Sequence, residues 1–388
     1  MLRDIVAKRE KELPVSTIGR LIQIAEEDKS VISLGPGEPD FAPPPNVMAA
    51  AKRAIAEGKT NYSPVSGRKE LIEAIIRKVK KENGIEAKEE NIIVTSGSTE
   101  GILLAMLSCI DPGEGVLYPD PGFLAYKPAI EILNGSPLHY HLDPETFEPS
   151  MEHVGDMLVR EKTKIMIINT PSNPTGAVFP KKKLEEVAGF AVENDLLVVS
   201  DEAYEEYVYE NARHVSIGSL NGMEDRVITL FTFSKTYGVQ GFRVGYAAGR
   251  EDIINAMRKL HVFTTISAPT VGQIACIEAL KERSRKYIDR IIAEYNRRRV
   301  YILKRLEATG FECNSPKGAF YVFPGIRPFR RNSLAFSRLL LEKAKVAVVP
   351  GIEFGYHGEG HIRLSYATGM KKIEAGMDRI ERLCRKLH

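Results

Sequence analysis

Ile165-Met166-Ile167-Ile168-Asn169 is an almost unbroken apolar run, and it leads straight into the turn Thr170-Pro171-Ser172-Asn173-Pro174-Thr175-Gly176. A strand that is apolar on successive positions has both faces covered, as in a parallel sheet with helices on either side. The same reading applies to residues 91–95, 115–118, 196–199 and 227–231. Helical periodicity fills the spaces between, at residues 47–57, 71–81, 99–110 and 184–194. Strands alternating with helices in this way predict an α/β protein with a mostly parallel mixed sheet. After Gly272 the character changes. One long helical region is expected to run to about Ala308, followed by short β segments at 319–323, 346–349 and 361–365. The domain change is placed near residue 285. A large domain then covers 46–285, and a smaller α/β domain covers 286–388.

Bulk composition narrows the function. The chain has 388 residues, of which 43% are hydrophobic and 27% charged, which excludes bulk disorder. The 54 Lys+Arg and 51 Asp+Glu leave a net charge of +3, too little to suggest an electrostatic nucleic-acid binder. Cys109, Cys276, Cys313 and Cys384 are scattered without metal-ligand or redox spacing, and no metal is expected. Residues 1–13 are charged throughout and do not read as a signal peptide. No run approaches the roughly 20 apolar residues of a membrane span. A cytoplasmic protein with no membrane or nucleic-acid partner is the expectation.

The chemistry collects at the strand ends, where open α/β sheets bind ligands. Ser96-Gly97-Ser98-Thr99 follows one strand and opens a helix, which makes either an anion cradle or an ordinary cap. Asn173 sits in the turn after the next. Asp201 follows a fully apolar strand, where a carboxylate is expensive without a cationic partner, and Tyr204 comes three residues later. Thr232-Phe233-Ser234-Lys235-Thr236-Tyr237-Gly238 and Gly241-Phe242-Arg243-Val244-Gly245 give the sharpest signal. A lysine desolvated near another cation loses its proton readily and becomes a nucleophile or base. Arg243 offers a fork of donors suited to phosphate. Together these groups supply what pyridoxal phosphate requires: phosphate donors, an amine, an acid for the ring nitrogen and donors for the ring oxygen.

Asn173-Pro174-Thr175-Gly176, Ser200-Asp201-Glu202-Ala203-Tyr204 and Ser234-Lys235 followed by Gly241-Phe242-Arg243-Val244-Gly245 occur in that order. In these pieces the sequence resembles the class I/II aminotransferases of the aspartate aminotransferase family, which are fold-type I pyridoxal-phosphate enzymes. The likeness runs from Leu34 to Ala367 and implies that residues 1–45 join the smaller domain. It implies that Lys235 binds the cofactor covalently and then moves the proton at the substrate Cα. Asp201 would pair with the ring nitrogen, and Tyr204 and Asn173 with the ring oxygen. Gly97, Ser98, Thr99, Thr232, Ser234 and Arg243 would hold the phosphate. Phe123 would stack on the ring, where relatives often carry Trp or Tyr. Tyr62 would reach the phosphate in the neighbouring subunit, making a homodimer with shared active sites. Arg363 would grip the substrate α-carboxylate, helped by Gly37 and Asn173. Tyr321 reads as core more than as a substrate contact. His139, His141, His261 and His361 show no ligand spacing.

The resemblance implies ping-pong transfer of an amino group from an L-amino acid to a 2-oxo acid. The alternative is a carbon–sulfur β-lyase or related eliminase, because the cofactor residues are common to all of these. A transcription regulator built on this domain needs a DNA-binding unit ahead of it, and the motifs begin too early for one. The donor side chain stays open. Lys127 is a candidate second cation for a dicarboxylate, while Phe123, Tyr126 and Tyr321 suit an aromatic or small neutral donor. Residues 15–20 are a candidate segment for closure over substrate.

Overall fold

A computed structural model describes residues 5–7, 19, 23–24 and 27–387. The segment 15–20 falls outside them, apart from Gly19. A short strand β1 (Ile32–Ser33) precedes the seven strands of a central sheet: β2 (Ile92–Thr95), β3 (Gly115–Asp120), β4 (Ser136–His141), β5 (Thr163–Asn169), β6 (Leu197–Asp201), β7 (Val227–Thr232) and β8 (Gly245–Ala248). Their order is β2-β8-β7-β6-β5-β3-β4. Pairing is parallel everywhere except at β8, which runs antiparallel to both β2 and β7. The expected apolar runs are these strands. β2 is buried at every position, and so is β5 except at Lys164. Two strands have no counterpart in the expectation. β4 carries polar residues on an edge, and β8 is only Gly-Tyr-Ala-Ala.

Register explains why the strand ends form one site. Asn169 at the end of β5 pairs with Asp201 at the end of β6. Thr232 at the end of β7 and Thr95 at the end of β2 both pair with Gly245. Because β8 is antiparallel, it starts at the edge where its neighbours finish. Arg243, two residues ahead of it, therefore arrives beside the ends of β2 and β7. Gly245 is glycine because a Cβ there would lie 2.7 Å from the Phe231 carbonyl oxygen and 2.7 Å from the Ser98 nitrogen, both backbone atoms.

The C-terminal part holds a three-stranded antiparallel sheet of β9 (Tyr321–Val322), β12 (Ile362–Ser365) and β11 (Val349–Pro350), with β12 in the middle. β10 (Val346–Ala347) pairs instead with β1. Leu34 continues that link: its N–H donates to Ala347 and its carbonyl accepts from Ser365. Leu34 also packs in one core with Phe320, Leu364, Ile373 and Met377. The long helical region expected after Gly272 is two helices, Thr270–Ala279 and Glu282–Ala308. At the break the backbone of Lys281 is extended, and the buried Glu278 pairs with both Lys281 and Arg283. Among the described residues, no helix is long and apolar enough to cross a membrane.

Gly245→Ala should be destabilising by about 1–3 kcal/mol, because the atoms it meets are backbone and cannot swing aside. Chemical denaturation of the variant checks this. A midpoint equal to that of the parent protein would contradict the packing described.

Candidate active site

The strand ends and the C-terminal sheet enclose a cavity of about 220 Å³. Its walls include Gly37, Ser98, Thr99, Phe123, Asn173, Asp201, Tyr204, Thr232, Ser234, Lys235, Arg243 and Arg363. The four separate strand-end motifs therefore meet. Gly97 stands behind the wall, and Tyr62 lies outside it with 78% of its surface exposed.

Lys235 lies in the turn of helix (Phe233–Thr236) that follows β7, capped by Thr232, whose hydroxyl accepts from the Ser234 N–H. Its Nζ donates to the Gly37 carbonyl at 2.8 Å. Burial is the main reason its pKa falls to about 8; nearby Arg363 pushes the same way, Glu38 opposes, and Arg243 adds a little. The ammonium is thus poised to lose its proton near neutral pH.

Asp201 meets the opposite pressure. Burial raises its carboxyl to about 6, against the lowering effect of hydrogen bonds from the Tyr126 hydroxyl and the Ala203 N–H. The Tyr126 O–H lies 2.8 Å from Oδ2. Among the described residues no lysine or arginine pairs with this acid, so the expected cationic partner is replaced by a phenol. Tyr126 opens the short helix Tyr126–Glu131 and is fully buried. The adjacent Lys127 points away from it, with its side chain 55% exposed and paired to Glu131 at 3.5 Å. Lys127 does not line the cavity, so it is no cation for a dicarboxylate here.

Arg363, on β12, is 1% exposed. Its Nη1 donates to Asn173 Oδ1 at 2.8 Å and its Nη2 to the Gly35 carbonyl at 2.7 Å. Its guanidinium lies over the rings of Tyr321 and Phe354, at 4.4 and 4.8 Å from their centroids. Nε has no partner, and among the described residues no carboxylate pairs with it. Burial lowers its pKa below the ordinary arginine range. A buried cation without a counter-ion is costly, and an incoming carboxylate relieves it. Tyr321 has a second role. It is buried as a core residue would be, yet it also lines the cavity and its hydroxyl shares a hydrogen bond of 2.7 Å with that of Tyr204. A residue serves both roles when its ring packs and its hydroxyl faces the cavity.

At the other end the donors are arranged for an anion. Ser234 Oγ is buried without a partner. Ser98 and Thr99 begin the helix Ser98–Cys109, whose first N–H groups have no helical acceptor. Arg243 lies alongside, and a Cβ on Gly97 would come within 2.2 Å of its Nη2, so only glycine lets the guanidinium approach. An orphaned hydroxyl, a helix start and a guanidinium fit a phosphate. An amine, a buried acid and the free amide N–H groups of Asn173 fit the rest of pyridoxal phosphate. Asn169, Gln240 and Ala203 also line the cavity and escaped the sequence reading. Asn169 had a signal, since it ends an apolar strand; it fixes the turn by accepting from the Asn173 N–H and donating to the Asp201 carbonyl.

Comparison with known proteins agrees with this geometry. Residues 29–380 match the family described as Aminotransferase class I and II. The chain is 45% identical to an aspartate aminotransferase of Pyrococcus abyssi, over 96% of each chain. It is 42% identical to aromatic-amino-acid aminotransferase 2 of Thermococcus litoralis, again over 96% of each. The crystal structure of an aromatic aminotransferase from Pyrococcus horikoshii superposes with a TM-score of 0.90, at 44% identity over 95% of this chain and all of that one.

The raised carboxyl of Asp201 has a thermodynamic sign. An acid whose folded pKa exceeds its ordinary value destabilises the fold progressively as pH rises through the window between the two, here from about 4 to about 6. Asp201→Asn should therefore make the cofactor-stripped protein more stable at pH 7 by about 1–3 kcal/mol. Most of that difference should vanish at pH 4.5. Urea unfolding at the two pH values measures it; an unchanged or lower stability at pH 7 would contradict the buried charge.

Proposed function

This chain belongs to the class I and II aminotransferases and is a pyridoxal-phosphate-dependent transaminase acting on amino acids and 2-oxo acids; from that premise we propose which residues carry the reaction and which donors it takes. The observation that carries the reading is the convergence of Lys235, Asp201 and Arg363 on one cavity. When bound, the cofactor supplies an electron sink for the pair left on the substrate Cα. Gly97, Ser98, Thr99, Thr232, Ser234 and Arg243 would hold its phosphate. Asp201 would serve the ring nitrogen, Asn173 and Tyr204 the ring oxygen, and Phe123 would pack on the ring.

Lys235 supplies the amine that holds the cofactor and, once released, the base. Its Nζ takes the proton from the substrate Cα in the first half of the cycle and, in the second half, delivers one to the carbon that becomes the Cα of the product amino acid. Arg363, with Gly37 and Asn173, holds the α-carboxylate and so aims the Cα hydrogen at Nζ. The 2-oxo acid leaves before the acceptor enters, which is the ping-pong order.

Among the described residues, the cations lining the cavity are Lys235, Arg243 and Arg363. Each has a task in this scheme, so none remains for a distal carboxylate. Of the rings on the walls, Phe123 and Tyr204 have tasks toward the cofactor, and Tyr321 is left to face the donor side chain. Aromatic amino acids are therefore the preferred donors in this reading, in line with the Thermococcus litoralis relative.

The active unit is a homodimer in which Tyr62, exposed on the single chain, meets the phosphate of the neighbouring site. Residues 46–285 form the cofactor-binding domain, and 1–45 with 286–388 the smaller one. This boundary falls in the first turn of the helix Glu282–Ala308. Four free thiols suit a cytoplasmic enzyme.

Lys235→Ala should lower transamination by at least about 10⁴-fold while the protein stays folded. Steady-state assays should give a larger kcat/KM for phenylalanine or tyrosine than for aspartate. Normal turnover in Lys235→Ala would defeat the assignment. A strong preference for aspartate would overturn the donor reading, and pyruvate with ammonia released without an acceptor would indicate a lyase.

A further inference from the structure

A second cluster of chemistry-bearing side chains lies outside the cavity. His139 and His141 stand two residues apart on β4, so their side chains share one face of the sheet. β4 is an edge strand, with β3 on one side only. His357 reaches the same place from the helical turn Tyr356–Gly358. One nitrogen from each of these three rings lies within 4.8 Å of the others. None of the three lines the cavity that holds Lys235.

Their surroundings are organised. His141 stacks on His153 with ring centroids 3.4 Å apart, and His357 lies 3.6 Å from His141. His153 Nδ1 accepts from the backbone N–H of His141 at 3.0 Å. That hydrogen bond fixes the ring of His153, which forms a wall beside His141. Asp120 pairs in register with His141 across β3 and β4 and is buried. Its carboxylate accepts from the backbone N–H groups of Tyr356 and His357, at 3.0 Å each. Oδ2 lies 3.4 Å from His357 Nδ1, which is buried and lacks a hydrogen-bond partner. Among the described residues, Asp120 has no lysine or arginine partner.

We propose that His139, His141 and His357 form a binding site for a transition-metal dication of the zinc or nickel class, with Asp120 supplying negative charge and orienting His357. Neutral imidazoles are the preferred ligands of such ions. A buried carboxylate behind a ligating histidine is the usual second layer of these sites. At zinc–nitrogen lengths of about 2.0–2.1 Å, tetrahedral ligand atoms stand about 3.4 Å apart, so the rings close by no more than about 1.4 Å. All three rings are half-buried, which leaves the fourth position to water or a solute. The site would tie the sheet edge to the turn that directly follows the one ending in Phe354, the ring against Arg363.

The test is isothermal titration of ZnCl₂ and NiCl₂ into untagged, EDTA-treated and exchanged holoprotein. One equivalent per chain should bind, and His141→Gln and His357→Gln should each weaken binding at least tenfold. The cofactor absorption band of each variant reports that it is folded. Zinc-edge X-ray absorption of the wild-type protein gives a readout that needs no variant: three imidazole nitrogens in the first shell. No binding, equal binding in both variants, or a shell of sulfur or oxygen alone would overturn the proposal. None of these readouts depends on transaminase activity.

Discussion

Arg363 is a buried guanidinium that, among the described residues, has no carboxylate beside it. Its hydrogen bonds run to the turn after β5 and to the N-terminal segment at Gly35, while its own strand belongs to the C-terminal sheet. Three distant parts of the chain are thereby held around one charge. Neutral acceptors and two aromatic rings stabilise it only partly. The structure is therefore complementary to an anion that is not protein, and the geometry of the cavity follows from where that anion must sit.

The same charge shapes the reactivity of its neighbours. Lys235 lies in the same low-dielectric space, where burial and the nearby guanidinium both favour the neutral amine. Asp201, hydrogen-bonded to Tyr126, is pushed toward its neutral form mainly by burial, with the neighbouring Glu202 acting the same way. A cationic ring nitrogen beside Asp201 would restore its charge, just as a carboxylate beside Arg363 would relieve the excess of positive charge there. Ligand binding and acid–base poise are thus two expressions of one electrostatic imbalance, consistent with the family to which the chain belongs.

Much of this was legible because the strands are parallel and buried. An apolar run announces each strand, and polar residues soon after it mark the site, as with Asn173, Asp201 and Lys235; Arg243 stands out instead through its glycine-flanked motif. The signal failed where side-chain partners are set by register and crossover instead of by local pattern. Tyr126 and Asp201 are far apart in the chain, and nothing near Tyr126 announces a partner. β8 is too short and too rich in glycine and alanine to show a period, and β4 is an edge strand with polar positions. Nothing in the spacing of His139, His141 and His357 suggests that a turn near the C-terminus folds back onto the sheet edge. Tyr321 is core as expected, and its second role in lining the cavity is not visible in sequence, where burial and contact with a cavity look alike.

The central claim is that the unpaired charge of Arg363 selects substrates by their α-carboxylate. The direct measurement is the half-reaction of the holoenzyme with phenylalanine and with phenylethylamine, the same donor without its carboxylate, in wild type and in Arg363→Ala. Wild type should favour phenylalanine by about 100-fold or more in the rate of cofactor conversion, as expected for a fully desolvated charge pair. That preference should collapse to within a few-fold in the variant. An Arg363→Ala enzyme that kept the full preference would contradict the account.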